Sequence, residues 1–548
     1  MALTPARIVL ALALCAGTVL RVFALGAVGL NSDEAVYASQ AASLAGNPHY
    51  SGLFPIVRAH PLLLQMLVSP LYAAGRPDTI GRYVAAAFGI GTIVLVYFAG
   101  KILYGANTGA VGALFLAVMP YHVTVTRQFL LDGPMTFFTT AALLCMAKAV
   151  ASGSRRWLIG VGICLGLSAL CKETGLVLLI AAVTFLSIHA RVWRPARFPL
   201  GAAAAALGLT LAYPALTAFA GGASGGQSYL LWQLTRHPNH DLLFYPETVG
   251  AAMGFLPLAV AAYGLVIRPS LSWREALLLS WIGVPLVYFE VWPVKGFAYL
   301  MPVAPAVALL AGRGIERIAH VASGARRRLS VILAGVVALV CAAVLAVPAA
   351  SAVATRQTSG LAGAGGTPGG RETGKWVAAH LPPDASLMTI GPSMANLIRY
   401  YSGRHADGLS VSPNPLHRNP AYQAILNPDG AIRSGAYQYI VWDAYSADRS
   451  SRFANEATTL AERFSGRVVH LERGTSGRVL IVIYQVTVEH AKYSATRPAP
   501  RSTVHQPSRK ILYAGYGITV VIALAALGWI ARLHRRRWWH RIHAVVKR

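Results

Sequence analysis

Apolar runs long enough to cross a bilayer, roughly 18 residues or more, recur from residue 6 to about residue 350 and once more at 511–531. In hydrocarbon every backbone N–H and C=O must find its partner within its own segment, so such runs can only be helices, and a chain that repeats them is a helical bundle. We read about twelve candidate spans on hydropathy. Composition agrees: 55% of the 548 residues are hydrophobic and 12% are charged, too apolar and too weakly charged for an ordinary soluble domain. The expected fold is therefore an α-helical polytopic membrane protein.

The formal net charge is +28, which raises the question of nucleic acid. The basic residues form no stripe interleaved with aromatics, as such a surface requires. They punctuate the apolar runs instead, so the expected partners are membrane lipids and no nucleic acid. With the N-terminus inside and residues 6–28 as an uncleaved first span, the inner loops carry Lys101, Arg155 and Arg156, Arg191, Arg194 and Arg197, Arg268 and Arg274, and Arg313, Arg317 and Arg326–Arg328. The tail RLHRRRWWHRIHAVVKR adds seven Lys/Arg and no acid. Basic loops are retained on the cytoplasmic side, which places both termini there. Residues 29–79, 121–131, Lys172–Glu173, 221–247, 290–296 and 351–508 are then extracytoplasmic. The Ala/Arg-rich composition suggests the plasma membrane of a bacterium.

Two stretches depart from the spanning pattern. HPLLLQMLVSPLYAAG (60–75) is short and proline-bounded, which predicts an interfacial or re-entrant helix. Residues 351–508 open on the glycine-rich SGLAGAGGTPGG and continue with strand-like ASLMTI, YQYIVWDA and RVLIVIYQV, separated by helix-like TGKWVAAHL and ANEATTLAERF. The reading is a transmembrane unit at 1–350, a small extracytoplasmic α/β domain at 351–508, and a last helix with basic tail at 509–548. The five cysteines, Cys15, Cys145, Cys164, Cys171 and Cys341, all lie in or beside apolar runs with neither zinc nor disulfide spacing, and read as packing residues.

Ionisable groups in or beside membrane spans are expensive and mark functional positions. On the outer side they are Asp33 and Glu34, Arg58 and His60, Arg127 and Asp132, Lys172 and Glu173, then His237, His240, Asp241 and Glu247, and finally Glu290 and Lys295. Carboxylates can serve as general base toward a hydroxyl, while Arg, Lys and His can hold a departing phosphate. Each position also has a plainer reading. Ser32 or Asp33 can cap a helix, Asp132 can cap the fourth span, the arginines can hold lipid headgroups, and Lys295 can snorkel. His60, His237 and His240 lack a metal-ligand spacing, so no cofactor is expected and a divalent metal has no support.

The ordered segments NSDEAVYASQAASLAGN, RAHPLLLQML, GRYVAAAFG, RQFLLDGPMTFFTTAAL, GLSALCKETG and VKGFAYLMPVAPAVALLAGRGI resemble the dolichyl-phosphate-mannose protein mannosyltransferase and aminoarabinose transferase superfamily, GT-C integral-membrane glycosyltransferases. The resemblance runs over about residues 5–320 as a series of individually weak motifs. It implies inverting transfer of a sugar from a polyprenyl-phosphate donor to a lipid, glycan or protein acceptor at the outer face. It makes Asp33 the catalytic acid of the first external loop, Asp132 a second acid, and Glu34 the partner in an Asp-Glu pair. Arg58, His60, Arg127, Lys172, Lys295 and His237 are the candidate substrate-binding residues. Some relatives carry Glu-Lys before the interfacial proline, where this chain has Ala59-His60 before Pro61, with Arg58 as a substitute cation. A lipid-linked-sugar flippase, which would hold its polar residues near the bilayer midplane, and a polysaccharide polymerase or ligase using a lipid-diphosphate donor are the alternatives.

Overall fold

Proline and glycine decide where the apolar runs bend. The computed structural model describes the chain except residues 1–3, 58, 74–77, 190–196, 222–231, 237, 267–271, 322–325, 355–365, 420, 488–506 and 547–548, and the side chains of 533–546. The membrane-embedded helices and their connectors run α1 (Pro5–Val22), α2 (Ser32–Leu44), α3 (Leu63–Ala73), α4 (Ile80–Leu103), α5 (Ala106–Val118), α6 (Pro120–Thr126), α7 (Asp132–Ala151), α8 (Trp157–Cys171), α9 (Val177–Ile188), α10 (Arg197–Phe219), α11 (Phe255–Val266), α12 (Trp273–Val291), α13 (Ala304–Ala319) and α14 (Arg326–Ala354). Pro120 cannot donate to the turn before it, and α5 and α6 meet there at 60°. Residues Tyr245–Met253 turn into α11 at 92°, across Gly254, whose φ of +87° suits glycine.

Among the described residues seven helices are long and apolar enough to cross a bilayer, or nine when each bent pair counts as one span. That is below the expected twelve or so. Three shorter apolar helices, α3, α8 and Glu173–Ile188, account for most of the difference, and α3 is the short helix expected at 60–75. Helices in lipid associate through close packing of small residues. At the crossing of α4 and α5 a Cβ on Gly109 would lie 2.5 Å from the Tyr97 carbonyl oxygen, so the two backbones touch.

Beyond α14 the chain builds α15 (Gly370–His380), β1 (Ser386–Thr389), α16 (Pro392–Ser402), β2 (His405–Gly408), β3 (Tyr439–Asp443), α17 (Ser451–Arg463), β4 (Arg467–Arg473) and β5 (Val479–Gln485), before the last helix α18 (Arg509–Val546). The sheet order is β2-β1-β3-β5-β4, with β1 parallel to β2 and β3, and β5 antiparallel to β3 and β4. Strand periodicity sends Met388 and Ile440 to one face, against Leu460 and Phe464 of the α17 region. Leu387, Val441, Ile481 and Ile483 face the other way and share one core with Ala35, Val36, Tyr50, Phe54, Leu64 and Phe129. The sheet is thus packed onto the first loop after α1, without an apolar gap between them.

Gly109→Val tests the helix crossing. Overpacking of this kind costs about 1–3 kcal/mol, so the thermal midpoint of the purified protein should fall. Gly335→Val, at a position with nothing within 4 Å of the added carbon, should leave it in place; equal shifts would refute the contact.

Candidate active site

The local order of the first loop comes from a capping box. Asn31 Oδ1 accepts from the Glu34 backbone N–H at 2.9 Å, and Glu34 Oε2 accepts from the Asn31 N–H at 3.0 Å, which starts α2 at Ser32. Glu34 itself is fully buried. Its Oε1 accepts from Arg82 Nε at 2.7 Å and from the Phe129 backbone N–H at 2.8 Å, and its Oε2 accepts from Arg82 Nη2 at 2.7 Å. The remaining Arg82 donors go to the carbonyls of Leu25, Val28 and Gly29 at 2.7–2.9 Å, so the guanidinium is fully satisfied. One buried bidentate pair therefore ties together the loop after α1, the start of α2, α4 and the turn after α6.

Asp33 is the neighbour that this arrangement turns outward. It is exposed, and among the described residues it makes neither a hydrogen bond nor an ion pair. Tyr37, one turn further on the same helix face, has its ring 6.3 Å from that of His60. His60 Nδ1 lies 2.9 Å from Glu173 Oε2 and 3.0 Å from Oε1. Next to Glu173, Lys172 leaves the end of α8 in extended conformation and donates to Asp132 Oδ1 at 2.8 Å and Oδ2 at 3.0 Å. Asp132 opens α7, where a carboxylate is favoured by the helix dipole, and both partners are buried. The Lys172 ammonium also sits 4.8 Å from the Tyr299 ring centre.

Tyr299 belongs to the turn Phe297–Val303, against which Tyr245–Val249 packs. Lys295 precedes that turn. Its Nζ donates to Glu290 at 2.5 Å and to the Asp241 carbonyl at 2.7 Å, and lies 5.7 Å from the Tyr245 ring centre. Asn239 holds the Lys295 backbone at both its N–H and its C=O. The His240 ring is stacked on Phe244 at 4.0 Å. Asp241 and Glu247 are exposed. Arg58 and His237 lie outside the described residues.

Arg127, a candidate substrate-binding residue, is engaged by backbone carbonyls in this structure. Its guanidinium donates to the carbonyls of Leu20, Phe23 and Ala24, where it caps the C-terminal end of α1, as basic groups do at orphan carbonyls. Glu34, expected among the reacting acids, has both oxygens committed to Arg82 and backbone and no exposure, so it holds the loop without facing the open side. Arg21, which the sequence reading passed over, is fully buried in the membrane-embedded bundle. It donates to the carbonyls of Gly17 and Ala117, both at 2.9 Å, and to Thr126 Oγ1 at 3.0 Å, and lies 2.6 Å from His122 Nδ1. It thereby satisfies carbonyls released by the α5–α6 break. A cation inside an apolar run was the signal that would have found both Arg21 and Arg82.

The sheet domain reaches the same loop. The Leu30 N–H donates to Tyr401 Oη at 3.0 Å, Asn396 Nδ2 donates to Ser32 Oγ at 3.0 Å, and Arg371 donates to the carbonyls of Gly26 and Val28. Burial, with Asp78 beside it, raises the Tyr401 phenol above its ordinary value, so it stays a neutral donor to Asp78 at 3.1 Å. Among the described residues no group of three His, Cys, Asp or Glu side chains is placed to hold a metal ion.

Residues 59–217 match the family model described as dolichyl-phosphate-mannose-protein mannosyltransferase. The dolichyl-phosphate-mannose--protein mannosyltransferase 1 of Saccharomyces cerevisiae is 29% identical over 127 residues, 22% of this chain and 15% of that protein. The match thus spans about a seventh of the yeast protein's length. Among solved structures, ArnT from Cupriavidus metallidurans in the apo state superposes with a TM-score of 0.62 at 15% identity, covering 88% of this chain and 97% of that one. The same protein bound to undecaprenyl phosphate gives 0.60 at 17% identity, covering 87% and 97%. The Archaeoglobus fulgidus oligosaccharyltransferase tethered with an acceptor peptide gives 0.56 at 14% identity, covering 88% of this chain and 74% of that one. At these identities the likeness to the solved structures is one of fold, and the family-model match is confined to residues 59–217.

Proposed function

We propose that this chain is an inverting glycosyltransferase that moves a sugar from a polyprenyl-phosphate donor to a lipid, glycan or protein acceptor at the extracytoplasmic face of a bacterial plasma membrane, with both termini cytoplasmic. The observation that carries the reading is the contrast within one cluster. Glu34, Asp132 and Glu173 each hold a basic partner, while Asp33 is exposed and unpaired among the described residues. A general base must be unprotonated, accessible and positioned from behind, and Asp33 meets the second and third of these conditions through its neighbours. The solved ArnT bound to undecaprenyl phosphate supports a lipid-monophosphate donor, and the basic loops support the orientation.

In this reading an acceptor hydroxyl or amine gives its proton to Asp33 as its lone pair bonds to the anomeric carbon. The bond from that carbon to the phosphate oxygen breaks on the opposite side, and the electron pair leaves with the phosphate. Single displacement inverts the configuration. The cations available to the departing phosphate are Lys172 and His60, with Lys295 on the adjoining turn. A phosphate arriving beside Lys172 competes with Asp132 for the ammonium, so Asp132 sets where that ammonium points before the donor binds. Arg58 and His237 remain further candidates for the same phosphate. Glu34 acts through position alone.

Two substitutions separate chemistry from position. Asp33→Asn removes a carboxylate that makes neither a hydrogen bond nor an ion pair among the described residues. Transfer from a radiolabelled polyprenyl-phosphate sugar should drop by about 10²–10⁴-fold with unchanged yield and thermal midpoint. Undiminished transfer by a well-expressed Asp33→Asn protein would exclude Asp33 from the reaction. Glu34→Ala strands a buried guanidinium, which costs about 3–5 kcal/mol, so it should lower the thermal midpoint as well as activity. A Glu34→Ala protein as stable as the parent would contradict the anchoring role. Competition by unlabelled polyprenyl monophosphate but not diphosphate distinguishes this donor class from that of a polymerase or ligase.

A further inference from the structure

The bundle holds a second feature at its other end. A cavity of about 260 Å³ lies among α7, α8, α9 and α10, lined by Met146, Leu158, Val161, Leu165, Leu179 and Leu186 among others, every lining side chain being apolar. Its origin is local. Gly162 meets the backbone of α10 so closely that a Cβ there would fall 2.0 Å from the Ala202 carbonyl oxygen, and beside that contact Ala182, Ala202 and Ala203 are too small to fill the space between the helices. An apolar cavity of this kind stays dry and accepts apolar guests. It is also reachable from the side, because its lining residues Val183 and Leu200 are 45% and 67% exposed.

The cavity runs from the middle of the helices to their far end. Leu165 is seven residues from Lys172, while Met146 and Leu158 are each fourteen residues from Asp132 and Lys172 along α7 and α8, which is roughly 21 Å of helix. At this end the chain is basic. Lys148 follows Met146, with its ammonium 4.5 Å from the Trp157 ring centre; Arg156 precedes the first turn of α8, and Arg197 opens α10 two residues before Pro199. Between Asp132 and Asp241 the sequence contains one acidic residue, Glu173, and it sits at the opposite end beside His60. Basic groups at the ends of the helices that wall an intramembrane pocket are a pattern that recognises an anionic headgroup.

We propose that this cavity and its basic rim bind one anionic glycerophospholipid from the leaflet opposite the candidate active site. One acyl chain fills the cavity past Val183 and Leu200, and the headgroup phosphate rests against Lys148, Arg156 and Arg197. This site is independent of the transfer reaction and of the identity of its donor.

Native mass spectrometry of the full chain in detergent, with dioleoyl phosphatidylglycerol or dioleoyl phosphatidylcholine added, tests it. The protein should retain one phosphatidylglycerol where phosphatidylcholine is stripped. Val183→Trp, which places a ring across the mouth from the lipid-facing side, should abolish the retention. Arg156→Gln with Arg197→Gln should weaken it by about fivefold per cation removed while leaving the thermal midpoint in lipid-free detergent unchanged. Equal retention of both lipids, retention unaffected by either variant, or displacement of phosphatidylglycerol by an equal concentration of polyprenyl phosphate would overturn the proposal.

Discussion

The buried Glu34–Arg82 pair is the interaction on which the half of this protein that carries the candidate active site depends. Taking two ions out of water is costly, and such a pair repays that cost only when its geometry is good and its remaining hydrogen-bonding groups are satisfied. Here every Arg82 donor has an acceptor, and Glu34 takes two backbone N–H groups besides. The pair is therefore better understood as a device for specificity than as a source of stability. It joins four chain segments that share no continuous secondary structure, and it leaves Asp33, one residue away, exposed and without an ion pair among the described residues.

The same logic recurs around it. Arg127 ends α1, Arg21 seals the break between α5 and α6, and Lys172 locks onto Asp132. Each of these three cations answers carbonyls or a carboxylate at a helix end. Interruption in turn brings backbone and side chains of distant segments to one level of the membrane. The sheet domain packs over the same region, since Tyr401, Asn396 and Arg371 hold the loop between α1 and α2. Its core is shared with that loop.

Much of this was legible in the residues. The apolar runs predicted a helical membrane bundle, alternation in ASLMTI, YQYIVWDA and RVLIVIYQV predicted strands, and polar residues at run ends singled out Asp33, Asp132 and Lys172 as candidates. The count of spans was less legible, because α8 and Glu173–Ile188 are too short to separate by hydropathy from full spans. Pairings were not legible at all. Glu34 and Arg82 are 48 residues apart, and neither motif names the other. The carbonyls that Arg127 holds in the structure carry no sequence signature. Arg21 likewise belongs to no motif, and its partners beyond α1 lie about a hundred residues away.

The central claim is that a lipid-linked phosphate docks beside Asp33 with Lys172 and His60 as its cations. The most direct measurement is a cryo-electron microscopy map of the full chain in nanodiscs with polyprenyl monophosphate. The account predicts phosphate density within hydrogen-bonding distance of Lys172 or His60, on the side of the bundle to which the Asp33 carboxylate is open. Density for the phosphate at the opposite end of α7 and α8, or with Asp33 screened from it by protein, would contradict it.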